Sequence, residues 1–207
     1  MNCLDTYINV AKGYLGATKG TSQHKAIINQ YNSLKTMPRG YRAKVSDPWC
    51  AIFVTAVARQ TGIEDSFPCE CSCYYMKRIA QQRGWVIDKH NIRRGDLVIY
   101  NWDRDSVPDH VGICIQAANG MLKVLEGNKD DRVAYRDVNC GNICIDCGIR
   151  IPWETFEPAE KESEMIKVAK RVIRGDYGNG AVRKKKLEES GYEYYEIQSL
   201  VNKLLKA

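Results

Sequence analysis

The sequence predicts an α+β chain: N-terminal helices packed on an antiparallel sheet, followed by a small three-helix module. Three observations carry that expectation. Helical periodicity fills the chain up to about "YYMKRIAQQRG". The short runs "GDLVIYNWD", "DHVGICIQA" and "MLKVLEGN" then follow, rich in branched and aromatic residues and separated by turn signals. Beyond the polar stretch "FEPAEKESE" only amphipathic helical patterns return. Helices first and strands afterwards, without β-α-β alternation, argue against a parallel sheet. The expected boundaries are 1–155 for the main domain, 156–163 for a linker and 164–207 for the appended module.

Within the main domain, "LDTYINVAKGYLG" and "QHKAIINQYNSL" read as two helices, and the basic, turn-rich "KTMPRGYRAKVSD" as the loop after them. A third helix is expected from Asp47 as N-cap and Pro48 at the first helical position, running to Thr61 and stopped by Gly62. Cys50 then lies in its first turn. The segment "ANG" (118–120) reads as a hairpin loop between the last two strands. In the tail, Gly175 and Gly191 stop two short helices, and Ile197, Leu200, Val201, Leu204 and Leu205 form one apolar stripe on a third.

Composition excludes several classes. A hydrophobic content of 44% with 27% charged residues belongs to a globular chain and not to a disordered or fibrous one. No run reaches the ~18 apolar residues that span a bilayer, so no membrane partner is expected. The start "MNCLDTYINVAKGYLG" lacks a basic n-region and an apolar h-region, so synthesis in a cytoplasm without a signal peptide is expected. The net charge of +6 is spread along the chain, which suits an anionic partner without specifying nucleic acid. Of the nine cysteines, Cys69, Cys71 and Cys73 ("CECSC") and Cys140, Cys144 and Cys147 ("CGNICIDC") form two local clusters. Neither has the full spacing of a zinc finger, so no metal is assigned and packing thiols are the favoured assignment.

Chemistry concentrates on one thiol and one imidazole. A thiolate is the reactive form of cysteine, and the field at a helix N-terminus favours it; Cys50 occupies such a place, with its own N–H free to face an oxyanion. Of the three histidines, His24 and His90 read as surface residues, whereas His110 opens a strand where a base is held rigidly. With a three-residue hairpin loop Ala117 pairs with Met121, Asn128 faces His110, and Glu126 lies opposite Gly112, diagonal to His110. A two-residue Asn119-Gly120 loop shifts the pairing by one and turns Glu126 and Asn128 away, so a catalytic site here predicts the three-residue loop. Cys50 is then the nucleophile, His110 the base and later the acid, and Glu126 or Asn128 the group orienting the ring. Asp109 should point the opposite way.

In this order "DPWCAIFV", "RRGDLVIYNWD", "PDHVGICI" and "VLEGN" resemble the motifs of the CHAP family, cysteine- and histidine-dependent amidohydrolases/peptidases of the papain-like, NlpC-type group, over about residues 20–155. The resemblance implies a papain-like domain that cuts peptidoglycan, with the family's cysteine on Cys50, its histidine on His110, its acidic member on Glu126 and a further polar residue on Asn128. Trp49, Trp102 and Trp153 are candidates for a substrate groove, although core filling is the competing role for at least one. "VAKRVIRGDYGNGAVRKKKLEESGYEYYEIQSLVNKLL" is similar to the CW-seven wall-binding repeat of phage lysins, which implies muropeptide contacts from Tyr177, Asn179 and Arg183. The basic "PRGYRAKVSD" departs from the calcium loop of some relatives, so neither calcium nor another cofactor is expected.

Together these resemblances imply an endolysin of a phage or prophage: made in the host cytoplasm, acting on the wall of a Gram-positive host after release, and cleaving either the MurNAc–L-alanine amide or an amide of the stem peptide or cross-bridge. One repeat is expected to bind weakly unless subunits associate through the C-terminal module. The competing classes are an inactive wall-binding or virion structural protein and a zinc-stabilised regulator.

Overall fold

A computed structural model describes residues 2–156 and 159–205 and divides the chain into two compact units, Met1–Phe156 and Glu157–Ala207. The fold is α+β: N-terminal helices, a six-stranded antiparallel sheet, then three C-terminal helices among the described residues.

Four helices precede most of the sheet. Helix α1 (Cys3–Gly13) is capped by Asn2, whose side chain accepts from the Asp5 N–H at 2.8 Å, and buries Cys3, Tyr7, Ile8 and Ala11 at helical spacing. Helix α2 (Ser22–Asn32) starts at Thr21 and buries His24, Ile27, Ile28 and Tyr31. His24 is thus a core residue, packed 4.6 Å from the Trp49 ring, and not the surface residue its polar neighbours suggested. Helix α3 (Cys50–Gln60) is apolar nearly all round and buries every residue from Cys50 to Ala58. It begins later than the Asp-Pro signal predicts. The Asp47 carboxylate instead accepts from the Lys44 N–H (2.7 Å) and the Tyr41 hydroxyl (2.9 Å), so Trp49 becomes the N-cap and Cys50 the first helical residue. Helix α4 (Cys73–Gln82) buries Cys73, Met76 and Ala80.

The strands are β1 (Val86–Ile87), β2 (Leu97–Tyr100), β3 (His110–Ala118), β4 (Met121–Lys129), β5 (Arg132–Asn139) and β6 (Ile145–Ile149), in spatial order β1-β6-β2-β3-β4-β5 with every pairing antiparallel. Of these, β1, β5 and β6 have no counterpart in the sequence-based expectation. Strand β5 is a polar edge strand and β1 and β6 are short, so none carries a strong alternating signal. Helix α3 packs on β3 and β4. Gly127 permits that approach, because a Cβ there would lie 2.5 Å from the Phe53 Cβ.

The hairpin register departs from expectation in an instructive way. Asn119 (φ 51) and Gly120 (φ 74) form a two-residue turn, and Ala118 pairs with Met121. This is the tight loop that Asn-Gly favours. Left alone it would turn Glu126 away from His110. A bulge between Cys114 and Gln116 inserts one extra residue, and Gly112 comes to face Glu126 after all.

In the second unit, α5 (Ala159–Ile173), α6 (Gly180–Glu189) and α7 (Tyr194–Leu204) enclose Met165, Val168, Val172, Leu187, Ile197 and Val201. Leu205 of the expected stripe is exposed. The stretch 156–163 is helical from Ala159, while Glu157 and Pro158 of that expected linker lie outside the described residues.

Candidate active site

Cys50 stands at the first position of α3, where the first intrahelical bond runs from the Phe53 N–H to the Trp49 carbonyl at 2.8 Å. The N–H groups before Phe53 therefore have no place in the helical ladder, the N-cap Trp49 offers them no side-chain acceptor, and that of Ala51 donates to the Cys50 sulfur. The thiol is 5% exposed and faces the Cys73 thiol at 3.7 Å and the Asp109 carbonyl at 4.0 Å.

His110 opens β3 opposite Tyr100, and its Nε2 lies 3.1 Å from Glu126 Oε2. Glu126 reaches the ring diagonally because its direct partner is Gly112, where a Cβ would lie 2.7 Å from the Glu126 Cγ. With Nε2 on Glu126, Nδ1 is the ring nitrogen left for Cys50. The other carboxylate oxygen, Oε1, accepts from Arg136 Nε on β5 at 2.7 Å, and Glu126 is 0% exposed. Arg136 also lies over the Tyr100 and Trp102 rings, 5.6 and 5.0 Å from their centroids. Sequence reasoning missed Arg136. A lone arginine on a charged edge strand carries no motif, and its pairing with Glu126 exists only in the β4–β5 register.

Charge follows from these contacts. The hydrogen bond from Cys73 holds the Cys50 thiol well below its ordinary value; burial opposes this, and the His110 hydrogen bond and charge add to it. Burial alone would lower His110, yet hydrogen bonds and charges from Cys50 and Glu126 outweigh it and push the imidazole up to about 9. Burial would also raise Glu126, but hydrogen bonds and charges from His110 and Arg136 hold it below the usual carboxylate range. A thiolate–imidazolium pair is therefore favoured at neutral pH, and the two groups titrate as one unit. Such a pair, at a helix N-terminus whose N–H groups lie outside the helical ladder, can attack a carbonyl and protonate a leaving amine.

Other expected residues fare differently. Asn128 sits at φ 58 in a β4–β5 bulge past the last β3–β4 pair, and no hydrogen bond joins it to His110 among the described residues; of the two expected orienting groups Glu126 is the one bonded to the ring. Trp49 is 0% exposed and fills the core, so it lines no groove. Trp102, 42% exposed, stacks on Tyr100 (4.8 Å) with its ring 6.1 Å from that of His110, at the mouth of the site. Trp153 packs on Tyr7 and donates to the Gly95 carbonyl. The Asp109 carboxylate accepts from the Trp102 N–H at 2.6 Å. A cleft of about 250 Å³ is lined by Arg39, Tyr41, Asp47, Pro48, Ile52, Cys71 and Ser72, with neither Cys50 nor His110 in its wall. The cysteines are free thiols, and among the described residues no group of three His, Cys, Asp or Glu side chains is arranged to hold a metal ion. No helix among them is long and apolar enough to cross a membrane.

In the C-terminal unit Tyr177 is 6% exposed and belongs to the core. Arg183 spends its guanidinium on the Gly178 carbonyl (3.0 Å), Gln198 Oε1 (3.1 Å) and Asn179 Oδ1 (2.9 Å), tying the α5–α6 turn to α7. Of the three expected contacts Tyr177 is buried, Arg183 half-buried and Asn179 exposed. A separate cavity of about 440 Å³ is lined by Glu164, Met165, Gly191, Tyr192, Glu193, Glu196 and Ile197.

Comparison with known families matches residues 41–128 to the CHAP domain and residues 167–205 to the CW_7 repeat. No curated protein matches the chain. The chain carries a CHAP domain followed by a CW_7 repeat, a combination that suggests a peptidoglycan hydrolase with a cell-wall-binding repeat. The CHAP match ends before β5, so Arg136 lies outside it.

Proposed function

Taking a CHAP domain joined to a CW_7 repeat as the premise, we propose that this chain is a phage endolysin that hydrolyses an amide of the peptidoglycan of a Gram-positive host by a cysteine nucleophile. The observation that supports this most is the imidazole of His110 held between the Cys50 thiol and the buried, arginine-paired Glu126.

In the mechanism the Cys50 thiolate adds to the amide carbonyl, forming the S–C bond, and the oxygen takes the negative charge beside the N–H groups at the start of α3. Imidazolium from His110 gives its proton to the leaving nitrogen as the C–N bond breaks, leaving a thioester on Cys50. Water then attacks the thioester, His110 takes its proton, and the thiolate departs with the acid released. Glu126 keeps the ring oriented and its charge balanced throughout, as the third member of a triad does. The CW_7 repeat raises the local concentration of the enzyme on the wall. The same machinery serves the MurNAc–L-alanine amide and the stem or cross-bridge amides, since nothing in it distinguishes the two acyl groups.

Digestion of purified cell walls, followed by mass spectrometry of the released fragments, tests the proposal and identifies the bond. An amidase frees the L-alanine amine from muramic acid; an endopeptidase frees a new amine within the peptide. Cys50→Ala should lower the rate by about 10³-fold or more while co-sedimentation with walls persists. Unchanged digestion by that variant would overturn the cysteine mechanism.

A further inference from the structure

The mechanism leaves one buried nucleophilic group unused. Cys73 is the first residue of α4, as Cys50 is of α3, and their sulfurs are 3.7 Å apart with both side chains out of solvent. The three thiols of "CECSC" have separate fates: Cys69 reaches the Glu64 carbonyl (3.5 Å), Cys71 the Glu70 carboxylate (3.5 Å), and Cys73 alone the nucleophile. Resting on the hydrolase reading above, we propose that Cys73 is a further catalytic residue, whose S–H donates to the Cys50 sulfur and stabilises its anionic form before attack.

The contact is directional in charge. Cys50 has His110 on its other side as a counter-ion, whereas the carboxylate nearest in effect to Cys73 is that of Asp109, which disfavours a second anion. The Cys50 hydrogen bond, then burial, push the Cys73 thiol well up, so it stays protonated and remains a donor. The titratable groups around the pair are His110 and Asp109 at the start of β3, Glu126 on β4 acting through His110, and Arg136 on β5 acting through Glu126. A buried cysteine ordinarily serves as a small hydrophobe, a role that valine or alanine fills equally well. Neither can donate to a thiolate. As the S–C bond forms, the sulfur loses its charge and the hydrogen bond weakens, so the contact sets the pH range over which Cys50 is anionic more than the maximal rate.

The test is alkylation of the full chain by iodoacetamide across about pH 4 to 9, with Cys50 followed by peptide mass spectrometry in wild type, Cys73→Val and Cys73→Ser. One unit of pKa is a tenfold change in thiolate fraction on the acid side. Cys73→Val should move the Cys50 alkylation profile about one unit towards alkaline pH, so that its acid end is about tenfold slower while the two converge near pH 9, and wall digestion should follow the same profile. Cys73→Ser keeps an O–H donor and should stay much closer to wild type. Superimposable profiles for wild type and Cys73→Val would overturn the proposal, as would equal shifts in the Val and Ser variants. If the valine variant does not fold, Cys73→Ala carries the same comparison. Failure of the hydrolase reading looks different: Cys50 of the wild type would show no enhanced reactivity near pH 5.

Discussion

Replacing Arg136 by methionine isolates the outermost link of the chain Arg136–Glu126–His110–Cys50. The guanidinium and carboxylate meet at 2.7 Å with Glu126 fully enclosed. Two charges about 4 Å apart at an effective dielectric of about 20 attract by about 4 kcal/mol, and breaking a buried pair from one side costs about 3–5 kcal/mol. Glu126 retains His110 and Arg136 is partly exposed, so the lower figure, about 3 kcal/mol, is expected at pH 7; this lowers the melting temperature of the unit by about 6–12 °C. The sign with pH follows from Glu126. Its folded pKa is depressed, so its contribution is present above the unfolded carboxylate value and lost as pH falls through the folded one. Wild type and variant should therefore converge in acid. In activity, Glu126 stays ionised at alkaline pH with His110 as its remaining counter-ion, so the imidazolium is held more firmly and the alkaline limb of kcat/KM should move above its wild-type position. Thermal melts and wall-digestion rates across pH measure both effects, with Arg136→Lys as a partial rescue. A methionine variant with wild-type melting at pH 7 and an unmoved alkaline limb would refute the coupling.

For the Cys50–His110 pair, the proton that His110 keeps up to about 9 offsets the one that the depressed Cys50 thiol has given up, so folded and unfolded chains bind equal numbers of protons between about pH 6.5 and 9 and wild-type melts should stay level there; a steep fall across that window would refute the pairing. Deleting Ile115, which lies in the β3 bulge, should turn Glu126 away from His110 and abolish digestion, whereas adding one glycine to the Asn119-Gly120 loop of that variant should restore the register and part of the rate. Gly112→Ala places a Cβ 2.5 Å from Val124 Cγ1 and 2.7 Å from Glu126 Cγ, costing about 1–3 kcal/mol by overpacking. It should cut kcat beyond what the melt explains, because Glu126 is displaced from the ring.

Much of this site is legible in the chain. Cys50 behind an Asp-Pro-Trp entry, His110 opening a strand and Glu126 on the next strand occur in an order that fits one constellation, because helix starts and strand starts are marked locally by turn formers and periodicity. Residues whose roles depend on packing were not legible. Trp49 and Tyr177 have the composition of ligand contacts and lie in cores; His24 looks polar by its neighbours and is buried; the three internal hydrogen bonds of Arg183 follow no local pattern.

The sequence by itself determined the α+β order of elements, the placing of a thiol in the first turn of a helix and the existence of a hairpin at Asn119-Gly120, though not its two-residue length, since each depends on residues a few positions apart. Tertiary structure alone decided that a bulge near Ile115 reverses the register error that hairpin would impose, that Glu126 and not Asn128 meets the imidazole, and that Arg136 and Cys73 join the site. The physical reason is distance along the chain. Bulges, edge-strand pairing and sulfur–sulfur approach are settled by how separate elements pack, and no local preference for a backbone conformation encodes them.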